Sequence, residues 1–140
     1  MYPELLKHIK NHISITAEDE KLITDNFSFI KLKKRQFLLE PGKICKGNCF
    51  VVKGCMRMYF INNKLVEQIT HFGLENWWVA DYDSLVNQKP SVYYMQAIED
   101  CELLLLTPQN QELLFKAIPQ LETYFRLMFE RAIIASQRRI

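Results

Sequence analysis

Four cysteines, three histidines and one acid set among aromatic residues are the side chains here that could do chemistry. Cys45, Cys49 and Cys55 stand close together and Cys101 lies far along the chain. Four thiolates are what an iron–sulfur cluster or a structural zinc needs. The surrounding pattern puts these cysteines on strands, however, where Cys49 and Cys55 read as small buried hydrophobes. No metal is therefore assigned. A thiol redox switch is a further reading, with Cys45 the better candidate. Cys45 is expected to be partly exposed, and Lys43 and Lys46 beside it would lower its pKa. His8 and His12 sit one helical turn apart. Their spacing fits a surface metal site but describes a solvated helix face equally well, and the latter is preferred. His71 has no histidine partner nearby, so the set of two or three histidines and a carboxylate that a metal enzyme on a β-roll would use is missing. No Ser/His/Asp or Cys/His arrangement, P-loop or dinucleotide fingerprint can be traced. The expectation is a protein that is not an enzyme and carries no cofactor.

The elements that must position these residues follow from the hydrophobic pattern. Leu5, Leu6, Ile9 and Ile13 have helical spacing. Thr16 followed by Glu18-Asp19-Glu20 marks a helix start, a hydroxyl cap with acids at the positive end of the dipole. From Phe27 to Leu106 the pattern changes to strands: Phe29–Leu32, Gln36–Leu39, Phe50–Val52, Cys55–Ile61, Leu65–Thr70, Ser91–Ala97 and Cys101–Leu106. Gly42 and Gly54 punctuate them, each where a side chain would clash or the backbone must take positive φ. Met56, Met58 and Phe60 share one face of their strand, and Arg57, Tyr59 and Ile61 the other. Asn62-Asn63 reads as a hairpin turn. Thr107-Pro108 opens a short helix, with proline at its first position, and Pro119 starts a long one.

In the long helix Leu121, Phe125, Met128, Ala132 and Ala135 are spaced four, three, four, three, a heptad seam. Leu127, Phe129, Ile133 and Ile134 make the helix apolar on a second side. It therefore needs two partners, its own domain and another chain. The sequence stops at Gln137-Arg138-Arg139-Ile140, inside the helical pattern and without a C-cap glycine, which predicts that the natural protein continues.

Bulk properties narrow the class. The length of 140 residues suits about one domain, and 49% hydrophobic with 24% charged residues is ordinary for a soluble globular protein. A formal charge of +2 is too small to predict a nucleic-acid surface. Lys31, Lys33, Lys34 and Arg35 could touch a DNA backbone or a polymerase, but a soluble turn between strands is the preferred reading. No apolar run reaches the length that spans a bilayer, so no membrane partner is expected. The N-terminus has no signal-peptide pattern. A cytoplasmic protein with free thiols is the expectation.

Helix, β-roll, short helix and long helix, in that order, resemble the N-terminal sensor domain of the catabolite-activator (Crp/Fnr) family of transcription regulators. The stretch from Leu38 to Gly54 carries the resemblance. From Gly42 onward the pattern lies on such a domain without a gap, and Gly54, Cys101 and Pro119 fall where the family commonly has the same residue type. The resemblance implies a mainly β fold with flanking helices. This is a double-stranded β-helix (jelly-roll), cyclic-nucleotide-binding-like domain over residues 1–118, followed by the start of a dimerisation helix over 119–140. It implies a homodimer through that helix, and DNA binding only through a helix-turn-helix domain absent from this chain. Some oxygen-sensing members hold an iron–sulfur cluster on four cysteines, but ahead of the roll, whereas these cysteines lie within it.

The family's phosphate-binding cassette would place its Gly-Glu pair at Ala80-Asp81 and its Arg-Ser pair at Ser91-Val92. A glycine lets backbone N–H groups approach the phosphate, a glutamate takes the ribose hydroxyl, and an arginine pairs with the phosphate bidentately. Only the acid survives, shortened to Asp81. Loss of the arginine costs on the order of a hundredfold in affinity, so tight binding of cyclic AMP is not expected. Trp77, Trp78, Tyr82, Tyr93, Tyr94 and Met95 crowd the region. They could fill the old pocket and leave the domain without an effector. Alternatively they could line an apolar effector pocket with Arg57, Asp81 or Ser136 supplying polar contacts. The candidate pocket is Arg57, Trp78, Ala80, Asp81, Tyr82, Ser91, Val92, Tyr93 and Ser136. A small-molecule effector or a thiol event in the roll would bias the long helix by population shift. The alternatives are a stand-alone interaction module of the same fold, or a regulator that senses redox state or metal through its cysteines.

Overall fold

A computed structural model describes residues 2–138. In chain order the elements are α1 (Pro3–Lys10), α2 (Ala17–Asp25), β1 (Ser28–Leu32), β2 (Phe37–Leu39), β3 (Asn48–Lys53), β4 (Met56–Ile61), β5 (Glu67–Gly73), β6 (Trp78–Val79), α3 (Tyr82–Asn87), β7 (Tyr94–Ala97), β8 (Cys101–Leu106), α4 (Pro108–Ala117) and α5 (Gln120–Gln137). They form two compact units. Residues 27–108 make a β unit, and the helical stretches before and after it make the other.

Two antiparallel four-stranded sheets, β1-β8-β3-β6 and β2-β7-β4-β5, build the β unit. Alternation along each strand decides what lies between them. Cys49 and Val51 of β3, Leu103 of β8, Met56 of β4, and Met95 and Ala97 of β7 meet in one buried cluster with Leu39, Ala80 and Leu85. Met58 packs against it and shares the face of Met56, as the sequence pattern requires. Gly42 and Gly54 have φ of +90° and +96°. A Cβ on Gly54 would stand 2.5 Å from the Asp100 carbonyl oxygen, so this turn excludes any side chain on steric grounds as well.

Three local expectations are corrected. The strand expected from Ser91 begins at Tyr94, because Ser91 is used instead to bind the Gly42–Lys43 turn. The hairpin after β4 is not a two-residue Asn-Asn turn. Leu65 N–H donates to the Asn62 carbonyl oxygen and takes φ +60°, and β5 starts only at Glu67. The helix begun by Leu5 ends at Lys10, short of Ile13.

In the helical unit Thr16 forms a full capping box with Asp19. Leu5, Leu6 and Ile9 of α1, Ile23 of α2, Leu114 of α4, and Leu121, Tyr124, Phe125 and Met128 of α5 are all buried. His8 Nδ1 lies 2.8 Å from the Tyr124 hydroxyl, and the His12 ring packs 5.4 Å from that of His8. Of the pair expected on a solvated helix face, His12 is exposed just beyond α1, whereas His8 makes a contact between α1 and α5. Desolvation, with the charges of Arg131 and His12, lowers the His8 pKa to about 4. Among the described residues no helix is long and apolar enough to cross a membrane. The expected run of the last helix through Arg139 and Ile140 lies outside the described residues.

Candidate effector site

Asp81 opens α3 as its N-cap, because a short acid in extended conformation can turn back on the helix amides. Its Oδ1 accepts from Ser84 N–H at 3.3 Å. Its Oδ2 accepts from the Ser91 hydroxyl at 2.6 Å. The same Ser91 oxygen accepts from Tyr93 N–H at 3.0 Å. The Ser91 backbone exchanges two further bonds with the glycine turn: its N–H donates to Lys43 O and its carbonyl accepts from Gly42 N–H, each at 2.8 Å. Ser84 completes the ring, accepting from Cys45 N–H at 2.9 Å and donating to Lys89 O at 2.6 Å. Asp81 and Ser91 are only 6% and 4% exposed. Among the described residues no buried side-chain nitrogen or oxygen lacks a hydrogen-bond partner.

Tyr82 and the cysteines flank this ring. The Tyr82 hydroxyl donates to Asn48 Oδ1 at 3.0 Å, and burial pushes its pKa up. Cys45 is buried, contrary to the expectation of a partly exposed reactive thiol. Its N–H is held by Ser84, its thiol donates to Gly47 O at 3.5 Å, and burial raises its pKa. Lys43 and Lys46 therefore do not make it a ready thiolate. Burial raises Cys49, Cys55 and Cys101 as well, and Cys55 is the partly exposed one. Among the described residues no three His, Cys, Asp or Glu side chains are grouped to hold a metal.

A family model for the cyclic nucleotide-binding domain matches residues 29–117. The chain belongs to that family. No curated protein sequence matches it. Solved structures of the same fold are numerous. A cyclic nucleotide-binding domain from Methylobacillus flagellatus aligns with TM-score 0.78 at 12% identity, over 98% of this chain and 78% of that one. The catabolite activator protein of Thermus thermophilus aligns with TM-score 0.72 at 16% identity, over 89% of this chain and 58% of that one. The sensor domain of the transcriptional regulator DNR from Pseudomonas aeruginosa gives TM-score 0.70 at 14% identity, over 95% and 87%. The chain thus matches little more than half of the Thermus protein's length. The jelly-roll architecture is the one the sequence led us to expect.

Within this cyclic nucleotide-binding domain the candidate residues separate. Ala80, Asp81, Tyr82 and Ser91 belong to the buried ring or border it. Val92 is exposed, and Tyr93 meets Phe60 edge to face at 6.0 Å. Arg57 is on the opposite face of its strand from Met56, away from the buried cluster. There its guanidinium donates to Gln96 Oε1 at 2.7 and 3.0 Å and to Glu67 Oε1 at 3.1 Å, and lies 4.2 Å over the Tyr59 ring. Tyr59 in turn stacks on Tyr94 at 4.9 Å. The structure does not bring Arg57 to Asp81. Trp78 faces with Phe50, at 5.3 Å, and Phe27, at 6.1 Å, on the side of its sheet opposite Cys49 and Val79. Ser136 is an exposed residue of α5 in the helical unit.

The five seam positions of α5 also divide. Leu121, Phe125 and Met128 are buried by the chain's own residues, Ala135 is half-buried and Ala132 is exposed. Ile133 and Ile134 beside them are exposed. Sequence reading missed Ser84, Asn48 and Gln96. Ser84 had a signal, since an Asp-x-x-Ser spacing places it at the amide that an N-cap acid bonds.

Proposed function

We propose that this chain is the sensing and dimerising half of a Crp/Fnr-type transcription regulator whose phosphate cassette is closed to cyclic nucleotides. The observation that carries this reading is the 2.6 Å bond from the Ser91 hydroxyl to Asp81 Oδ2. A nucleotide-binding cassette needs its acid free for a ribose hydroxyl and a cation beside it for the phosphate. Here the acid is consumed by the chain's own hydroxyl and α3 amide, and the guanidinium of Arg57 is engaged by Gln96 and Glu67 on the other face of its sheet. A cyclic diester brought to about 5 Å from the Asp81 carboxylate would meet a repulsion of about 3 kcal/mol at an effective dielectric of about 20.

The exposed apolar residues of α5 support pairing of two chains through that helix. DNA contact then belongs to a domain outside this chain, and the domain has no catalytic role. The expected compartment is the cytoplasm. Calorimetric titration with cyclic AMP and cyclic GMP tests the central statement. No binding is expected up to about 1 mM, and a micromolar dissociation constant for either would overturn it.

A further inference from the structure

The junction of α1 and α5 gathers side chains that repel one another when charged. His8, His12 and Tyr124 form a triangle of rings, with centroids 5.4, 5.8 and 5.9 Å apart. Tyr124 is buried, and its hydroxyl meets His8 Nδ1 at 2.8 Å. With that hydroxyl donating, His8 carries its ring proton on Nε2 and can offer it to a further acceptor. Arg131 stands seven residues after Tyr124, two turns along the same face of α5. Side chains on a helix lean toward its N-terminus, so the guanidinium reaches back toward Tyr124 and His8. The electrostatics agree. Desolvation first, then Arg131 and His12, keep His8 uncharged, and desolvation likewise lowers the pKa of Arg131, with Tyr124 the neighbour that acts on it. No carboxylate is among the groups that set the charge of His8. The acid next to Arg131 in the chain, Glu130, is turned to Arg126 at 2.9 Å.

We propose that this junction binds a small tetrahedral oxyanion of the phosphate or sulfate type, held by the Arg131 guanidinium and the ring N–H groups of His8 and His12, with buried Tyr124 fixing His8. An anion rather than a metal follows from charge. Two imidazoles one helical turn apart would suit a divalent cation, but a guanidinium beside them repels it. A tetrahedral anion rather than a planar carboxylate follows from the ring planes, which are inclined at 59°, 86° and 60° to one another. Donors on inclined rings reach oxygens outside the plane that a guanidinium fork shares with a carboxylate. His8 and Arg131 are partly buried and His12 is exposed, so the cluster is open to solvent on one side and desolvated on the other, where each contact is strengthened. The site belongs to the helical unit, whereas the Asp81–Ser91 ring belongs to the β unit, so it does not depend on that ring being closed.

The test is a nuclear magnetic resonance titration of the His8 and His12 ring signals in the full chain at pH 7, with sodium phosphate, sulfate, acetate and chloride at matched ionic strength. Phosphate and sulfate are expected to give saturable shifts with dissociation constants of about 1 mM or less, and acetate to bind about tenfold more weakly. Arg131→Gln should weaken phosphate and sulfate binding by about tenfold or more while the chain keeps its thermal midpoint, because a desolvated cation is removed. Arg131→Lys should fall between the two, since a point charge replaces the fork. Shifts that grow linearly and match those in chloride would overturn the site. So would acetate binding as tight as phosphate, or an Arg131→Gln chain that binds like wild type. Should Arg131→Gln not fold, Arg131→Lys and His8→Gln carry the same comparison, and wild-type affinity in both would overturn the site.

Discussion

Removing the Ser91 hydroxyl probes the closed ring directly. In Ser91→Ala the carboxylate of Asp81 keeps its bond from Ser84 N–H but loses the 2.6 Å bond to Oδ2, and Tyr93 N–H loses its 3.0 Å acceptor. Asp81 is nearly inaccessible to water, so its lost bond is not replaced by solvent. A hydrogen bond to a charged group contributes about 1.5–3 kcal/mol, and the half-buried amide adds about 0.5–1 kcal/mol, giving a loss of about 2–4 kcal/mol. For a domain of this size about 2–4 °C accompanies each kcal/mol, so the thermal midpoint should fall by roughly 5–15 °C. Circular dichroism melts of wild type, Ser91→Ala, Asp81→Asn and the double variant measure the drop and the coupling. The double variant should lose well under the sum of the two single losses, since each single change removes the same charged bond. A drop of less than about 0.5 kcal/mol in Ser91→Ala would mean that the acid finds another partner, and the case for a closed cassette would fail with it.

Two further outcomes follow from local chemistry. His8 has a folded-state pKa of about 4, below its ordinary 6.5, so its contribution to stability is complete above pH 6.5 and is lost as pH falls toward 4. The full shift corresponds to about 3.4 kcal/mol, but His8 is only partly buried and solvent screening reduces this to about 1–2 kcal/mol. Urea midpoints at pH 7 and pH 4 should show that difference in wild type and not in His8→Gln. Gly54→Ala should destabilise by about 2 kcal/mol or more, because the new methyl meets Asp100 O at 2.5 Å and Cys101 Sγ at 2.7 Å at φ +96°. An unchanged melting temperature would show that the turn can relax.

What the sequence revealed was local. Thr16 with its acids announced α2, Gly42 and Gly54 announced the turns, and alternation in β4 already put Arg57 and Tyr59 opposite Met56 and Met58. The same alternation could not say which face looks toward Asp81, and so Arg57 was grouped with residues from which the sheet separates it. Lysines on both sides of Cys45 suggested an exposed loop. That loop is instead drawn in by Ser84 and Ser91, far along the chain, and no local rule contains such bonds. Leu65 escaped for a related reason: the Asn-Asn pair announced a turn, but the side chain of Asn62 chose its type.

The serine at position 91 ties together three stretches of backbone that are remote in sequence: the turn at Gly42–Lys43, the start of α3 and the approach to β7. An arginine introduced at 91 would keep the two backbone bonds to the glycine turn but lose the hydroxyl that holds Asp81 and Tyr93 N–H, so a cation placed there comes at the expense of the start of α3 and the approach to β7.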